Sequence, residues 1–262
     1  MGIVAYEQDG AIGIVTLSNP PQNRLNAAMI KELAGAVESA ETGHARVLLI
    51  RGAGDHFSFG VDLAEWHGLS TSGMRTYLLR LNQVFQRVEG LAIPTIAAIR
   101  GGCMGGGLEL ALHCDFIVAA HDAQLRFPEP TIALPPLGGG LQRLAERAGR
   151  AQAARMAVLS DVVSGAEAQQ LGLIARLADC AEVTDVADAL ARQLADGATL
   201  AYTGAKAILK AWPEGGVGAA DRLLIDIGHP ALASEDFARA VPSAVDALQR
   251  NVPRPALNFG GT

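Results

Sequence analysis

Aromatic side chains are scarce in this 262-residue chain, where Phe, Trp and Tyr together make up 5 %. Half the residues are hydrophobic, so a sizeable core can form, but Ala, Val, Leu and Ile must fill most of it. Basic charge is in deficit too. Lys and Arg number 21 against 27 Asp and Glu, a formal net charge of -6. A mildly acidic protein draws no polyanion through its overall field, so nucleic acid is not an expected partner. A local basic spot for one phosphate-bearing small molecule remains compatible with that balance. Cysteine is limited to Cys103, Cys114 and Cys180, an odd number whose spacing fits no zinc pattern. They read as buried free thiols in a reducing compartment, with no metal site. No apolar run is long enough to cross a bilayer. The opening MGIVAYEQDG has no basic region followed by an apolar stretch, and Tyr6 stands where a myristoylation pattern needs Ser or Thr. The expectation is a soluble cytoplasmic protein with no membrane partner.

Glycine, in contrast, is plentiful at 30 residues, and it clusters. Clustered glycine marks tight turns and places where backbone approaches a ligand closely. IVAYEQ and AIGIVTLS, joined by Asp9-Gly10, predict a hairpin. Apolar spacing of three and four predicts a helix from about Ala27 to Glu41. RVLLIRG, PTIAAIRG and DFIVAA read as buried strands of a covered sheet. Ser72 to Glu89 and LELALHC read as helices, with GGCMGGG as a turn. This alternation argues α/β, with helices packed on sheet. From Leu141 the pattern turns helical: Arg150 to Leu159, Gly165 to Leu171, Glu182 to Ala195, Leu200 to Ala211, Asp221 to Gly228 and Ala233 to Asn251. The Pro- and Gly-rich end, NVPRPALNFGGT, reads as irregular. The expected division is a core over 1–198 and a helical region over 199–262. That region needs something to pack on, and a partner subunit would serve.

The segment from Pro94 to Leu144 carries the chemistry. Gly105, Gly106 and Gly107 lie between a strand and a helix. Glycine there lets the chain turn sharply with its N–H groups facing outward, and the first N–H groups of a helix have no internal partner. Such a spot stabilises an oxygen that gains negative charge; a plain structural turn is the alternative. It is no Walker loop, since no Gly-Lys-Ser/Thr follows. Glu109 falls in the first helical turn, where an acid also suits the helix dipole. Leu108, Leu110, Ala111 and Leu112 surround it, and desolvation in such company raises a carboxyl pKa toward a working range. Glu129 lies in FPEP, whose prolines are expected to hold the backbone extended and stiff. An exposed loop glutamate is the alternative there. In FSFGVDL, Gly60 gives a tight turn and Asp62 a helix N-cap. The Val61 amide then points near the helix start, so amides from two loops can grip one oxygen. His67 reads as a surface histidine. His113, Cys114 and Asp115 read as structural, and Arg143 as a helix-surface or inter-subunit charge.

With these residues in view, the chain resembles the crotonase superfamily, specifically the enoyl-CoA hydratase/isomerase family. The likeness rests on NPPQNRLN, HFSFGVDL, PTIAAIRGGCMGGGLELALHCDFIVAA, RFPEPTIALPPLGGGLQRL and VSGAEAQQLGLIARL, in family order. It runs from the opening hairpin to about Ala178. It implies an α/β crotonase-like spiral of ββα units over 1–198, with a helical C-terminal region that builds trimers or dimers of trimers. It implies an acyl-CoA thioester substrate and no separate cofactor, coenzyme A being part of the substrate. By position, the oxyanion amides fall on Val61 and Gly106, and the hydratase carboxylates on Glu109 and Glu129. Substrate and coenzyme A contacts fall on Arg24, Leu25, Val61, Asp62, Leu63, Gly106 and Leu137. The expected activity is hydration of an enoyl-CoA, a hydro-lyase reaction of fatty acid metabolism, with Glu109 as base and Glu129 as acid. Isomerisation, decarboxylation or thioester hydrolysis on the same scaffold are rivals. A non-catalytic acyl-CoA-binding role is another, though both carboxylates are present. Three departures stand out: Val61 where alanine is usual, Pro136-Leu137 where Pro-Gly is common, and Arg239-Ala240 where Glu-Gly usually follows the block Ser234 to Asp236.

Overall fold

The computed structural model describes residues 2–261. In chain order its elements begin with β1 (Val4–Asp9), β2 (Ile12–Leu17), α1 (Ala27–Thr42), β3 (Val47–Gly52), α2 (Leu63–His67) and α3 (Thr71–Gly90). There follow β4 (Thr95–Ile99), β5 (Gly102–Met104), α4 (Gly106–Leu112), β6 (Phe116–Ala120), β7 (Gln124–Arg126) and a 3-10 turn over Glu129–Ile132. Next come α5 (Gly140–Ala148), α6 (Arg150–Ala154), a π turn (Arg155–Leu159), β8 (Val163–Ser164), α7 (Gly165–Gln170) and β9 (Arg176–Ala178). The rest is α8 (Val183–Ala195), α9 (Thr199–Gly215), α10 (Val217–Leu232) and α11 (Glu235–Gln249).

The strands form two sheets. The larger runs β1-β2-β3-β4-β6-β9, with β1 and β2 an antiparallel hairpin and every later pair parallel. The smaller runs β5-β7-β8. The chain repeatedly leaves the large sheet for the small one and then enters a helix, as in β4–β5–α4. An isolated parallel bridge between Ser58 and Cys103 places the segment after β3 beside β5 in the same way. Each circuit therefore winds one turn of a spiral. The continuous apolar runs in β3 and β4 follow from being covered: Val47 to Ile50 are fully buried, and all of β4 is buried. Helix α8 packs across β3, β4 and β6, while α1 packs on β1 and β2.

Several expectations need correction. GGCMGGG is not wholly a turn, because Gly102–Met104 pairs with β7 as strand β5. Strands of two or three residues carry no readable periodicity; cross-strand partners define them. Helices α9 and α10 extend past Pro213 and Pro230, which sit near their C-terminal ends, where a missing N–H costs a single ladder bond. FPEP is not extended. Pro128 has ψ -5 and Glu129 opens a 3-10 turn with Pro130 as its second residue, since proline is tolerated in the first turn of a helix, where its missing N–H has no partner to lose. Cys103 and Cys114 are buried free thiols, but Cys180 is exposed, in the turn between β9 and α8.

The C-terminal helices bury little of themselves: only Thr199 and Gly204 in α9, Ala220 in α10, and Asp236 and Ala247 in α11. Polar ties hold this region to the rest. Lys206 pairs with Asp115 at 2.7 Å. Arg46 reaches Thr199 Oγ1, the Gly197 carbonyl and the Phe259 carbonyl. Asp236 accepts from the Gly260 and Gly261 N–H groups at 2.9 and 2.7 Å and from Arg239. Burial works to raise its pKa, but those donors outweigh it and hold the carboxyl below its ordinary value. The block Ser234 to Asp236 thus anchors the irregular tail. No helix among the described residues is long and apolar enough to cross a membrane.

Candidate active site

Two loops meet at the N-terminus of α4. Leu25 and Val61 form an isolated parallel bridge, in which the Leu25 N–H donates to the Gly60 carbonyl and the Asp62 N–H to the Leu25 carbonyl. Alternation along an extended strand turns the intervening Val61 N–H away from Leu25. Gly106 is the first residue of α4, so its N–H has no carbonyl one turn back within the helix. Among the described residues, neither amide donates to a main-chain acceptor. Gly60, at φ +76, joins the two: a Cβ there would lie 2.7 Å from the Gly106 nitrogen. Only glycine suits this backbone and leaves the amide uncovered.

Sequence reading alone passed over what holds the Val61 loop. Asn23 is fully buried at φ 48. Its amide donates to the Ala53 and His56 carbonyls at 2.9 and 2.8 Å. Ser58 Oγ donates to the Asn23 carbonyl at 2.7 Å and accepts from the Gly60 N–H at 3.1 Å. Buried polar groups so paired fix a loop without leaving unsatisfied atoms. Asp62 accepts from the Ala64 N–H at 3.0 Å, the N-cap expected of it. Arg24 is half-buried: Nε donates to Gln22 at 2.9 Å, Nη1 approaches the Val61 carbonyl at 3.4 Å, and the guanidinium lies 6.0 Å from the Phe59 ring centre. Leu25 is fully buried and Leu63 exposed. Leu63 is tied to the site by being next in chain to Asp62. His67 is exposed.

Both glutamates reach this place. Glu109, 3 % exposed, sits on α4 with its Oε1 accepting from the Gly138 and Gly140 N–H groups at 2.7 and 3.2 Å. Burial raises its pKa, while those two N–H groups and the Arg143 charge work against the rise. Glu129 comes from the 3-10 turn. Its Oε1 lies 2.7 Å from where a Gly105 Cβ would stand, and its Oε2 is buried with no hydrogen-bond partner. Burial pushes this carboxyl up to about 7; a bond from its own backbone opposes that, and the Glu109 charge adds to it. Glu129 is therefore no exposed loop glutamate. Leu137, 43 % exposed, precedes Gly138, and its carbonyl accepts from Asn82 at 2.9 Å. Arg143 is not a free surface charge: it makes a two-pronged ion pair with Glu89. His113 is structural, with Nδ1 against the Glu109 carbonyl and burial pushing its pKa down to about 4.

The structure thus brings Val61, Gly106, Glu109 and Glu129 together, with Arg24, Leu25, Asp62 and Leu137 on the adjoining loops. Two carboxyls whose pKa values burial raises, beside unpaired main-chain donors, define a class of site. Such a site can move protons next to an oxygen it polarises.

Comparison with known proteins agrees. The enoyl-CoA hydratase/isomerase family model matches residues 7–220. A probable enoyl-CoA hydratase of Bacillus subtilis (strain 168) is 37 % identical over 199 residues, covering 75 % of this chain and 77 % of the relative. The short-chain-enoyl-CoA hydratase of Clostridium acetobutylicum is 30 % identical over 201 residues, covering 76 % and 77 %. Among solved structures, an enoyl-CoA hydratase from Bacillus anthracis superposes at TM-score 0.89 with 25 % identity, covering 99 % of this chain and 100 % of that one. The chain belongs to the enoyl-CoA hydratase/isomerase family. It has the crotonase fold of its structural neighbours, an α/β spiral with a helical C-terminal region.

Proposed function

We propose that the protein is an enoyl-CoA hydratase, adding water reversibly and syn across the α,β double bond of an acyl-CoA thioester. The observation that carries this reading is the pair of carboxyls, buried Glu109 and half-buried Glu129, flanking the free Gly106 amide. The Val61 and Gly106 N–H groups hold the thioester oxygen. A water lies between the carboxyls. Its oxygen bonds to the β-carbon while one of its protons passes to Glu109. The double-bond electrons move onto the thioester as an enolate, and the α-carbon takes a proton from Glu129. Exchange with solvent then restores both carboxyls. A Glu129 pushed to about 7 keeps a proton to give at neutral pH. Glu109, held by two N–H groups near Arg143, is the better placed of the two to be ionised. These features support Glu109 as base and Glu129 as acid.

Arg24 and the Leu25, Asp62 and Leu63 backbone serve the coenzyme A side, and Leu137 the acyl side. Coenzyme A arrives as part of the substrate, and this chemistry calls for no separate cofactor. Exposed apolar residues on the C-terminal helices, such as Leu209, Trp212, Ile225 and Leu248, suit packing against further copies in a trimer or a pair of trimers. Loss of enoyl thioester absorbance with crotonyl-CoA tests the reading. Substitutions Glu109→Gln and Glu129→Gln should each slow turnover about a hundredfold or more, and unchanged turnover in both would reject the assignment. Two relatives, at 33 % and 37 % identity, carry the name enoyl-CoA isomerase/hydratase, which keeps double-bond isomerisation as a second reading. Product mass separates the two, since hydration adds a water and isomerisation leaves mass unchanged.

A further inference from the structure

The Gly138–Gly140 turn that holds Glu109 also meets a second charged cluster. Arg143 stands in the first turn of α5, 17 % exposed, and Glu89 at the end of α3, 30 % exposed. Arg143 Nε and Nη2 meet the two Glu89 oxygens at 2.6 and 2.5 Å. Its Nη1 donates to the Gly139 carbonyl at 2.6 Å. Gly139, at φ +87, is the middle residue of the turn whose neighbours on either side, Gly138 and Gly140, donate to Glu109 Oε1. The guanidinium thus grips the carbonyl of the same peptide unit whose N–H, that of Gly140, holds the carboxylate. It needs its full fork to do so, two prongs on Glu89 and one on Gly139.

We propose that Arg143, oriented by Glu89, is a positioning residue for Glu109: it fixes the Gly138–Gly140 turn that aims this carboxylate. The proposal deepens the hydratase reading and rests on it for the role of Glu109. Other charged or titratable groups lie around this carboxylate and the ion pair. Glu129 comes from the 3-10 turn. His113, one turn further along α4, stays neutral because its pKa is pushed down to about 4. Arg147 of α5 donates to the Cys114 carbonyl, and Lys210 of α9 acts on Glu89. Of these cations, Arg143 is the one whose charge acts on Glu109. A simple ion pair stapling α3 to α5 would act on Glu109 through charge alone, so Arg143→Lys would keep both its titration and the rate. A positioning pair would lose the rate, and the charges of its two members act in opposite directions. Loss of the Arg143 charge makes the Glu109 carboxylate harder to form. Neutralising Glu89 leaves the guanidinium uncompensated and makes it easier to form.

The test uses wild type, Arg143→Gln, Arg143→Lys and Glu89→Gln. The first readout is hydration of crotonyl-CoA across pH. The second is the titration of Glu109 by carbon-13 NMR of carboxyl-labelled glutamate, with the signal identified by its loss in Glu109→Gln. Arg143→Gln should lower kcat about tenfold or more, leave KM within about twofold, and move the Glu109 titration upward by about half a pH unit. Glu89→Gln should move it downward. Arg143→Lys should keep the titration near wild type yet lose rate, because an ammonium cannot hold both Glu89 oxygens and the Gly139 carbonyl. In a Glu109→Gln background, Arg143→Gln should cost nothing further. An unmoved Glu109 titration in both charge variants, a wild-type rate in Arg143→Lys, or an equal rate loss in the Glu109→Gln background, overturns the proposal. Should wild type hydrate no enoyl-CoA, the hydratase reading fails, while the NMR titrations still decide the place of Arg143. If Arg143→Gln does not fold, Arg143→Lys and Glu89→Gln decide it.

Discussion

Glu129→Gln is expected to make the protein more stable at alkaline pH while disabling it. The sign follows from linkage. In the folded protein this carboxyl titrates at about 7, against an ordinary 4.5. Between those values the native state keeps a proton that the unfolded chain has released. Stability therefore falls as pH rises across this window. Glutamine carries no such proton, so the variant escapes the fall. The displacement from 4.5 to about 7, at about 1.4 kcal/mol per pH unit, sets a ceiling of about 3 kcal/mol. Glu129 retains partial contact with solvent, and the surroundings relax around its charge, which leaves about 1–2 kcal/mol. For a chain of this size that is roughly 2–4 °C in Tm. The assay is thermal melting of both proteins from pH 4.5 to 8.5. A constant offset is expected from the amide group, which meets the same partnerless surroundings as Oε2. The gap should widen in favour of the variant from pH 4.5 upward and level off above about pH 7. A gap that stays constant, or narrows, refutes the assignment of a raised pKa to Glu129. Hydration by the same variant should fall about a hundredfold. In wild type the rate should decline as pH rises past about 7, as the acid loses its proton.

Three further outcomes follow from particular contacts. Gly60→Ala places a methyl 2.7 Å from the Gly106 nitrogen at φ +76; kcat should drop about 10²–10³-fold through loss of an oxyanion donor, with melting lowered by about 1 kcal/mol or more. Wild-type rates in this variant would remove Gly106 from the reaction. Asp236→Asn weakens the anchor on Gly260, Gly261 and Arg239, so limited proteolysis should trim the tail faster. Because the folded pKa of Asp236 is depressed, wild type should lose the same protection only as pH falls below its ordinary 3.8. Ile225→Asp puts a charge on a residue 75 % exposed in α10, and sedimentation should show a lower mass if that face packs against another copy.

The primary structure by itself determined much of this protein. Asp9-Gly10 marked the hairpin, and the unbroken apolar runs in β3 and β4 marked strands covered on both faces. Glycine at 105 to 107, followed closely by Glu109, marked a turn with free amides and an acid beside it. These features are legible because each depends on neighbours in the chain, where backbone preference and periodicity act directly. Tertiary structure alone decided the rest. Strands of two or three residues exist only through partners such as Ser58 beside Cys103. Glu129 looked like a loop residue, and it became a half-buried acid only when the 3-10 turn carried it against Gly105 and into the field of Glu109. Glu109 is held by amides 29 and 31 residues away, and Arg143 found Glu89 at a separation of 54. Contacts at such distances are set by how the spiral's turns stack, and burial then fixes how costly each charge is. No local pattern encodes either one.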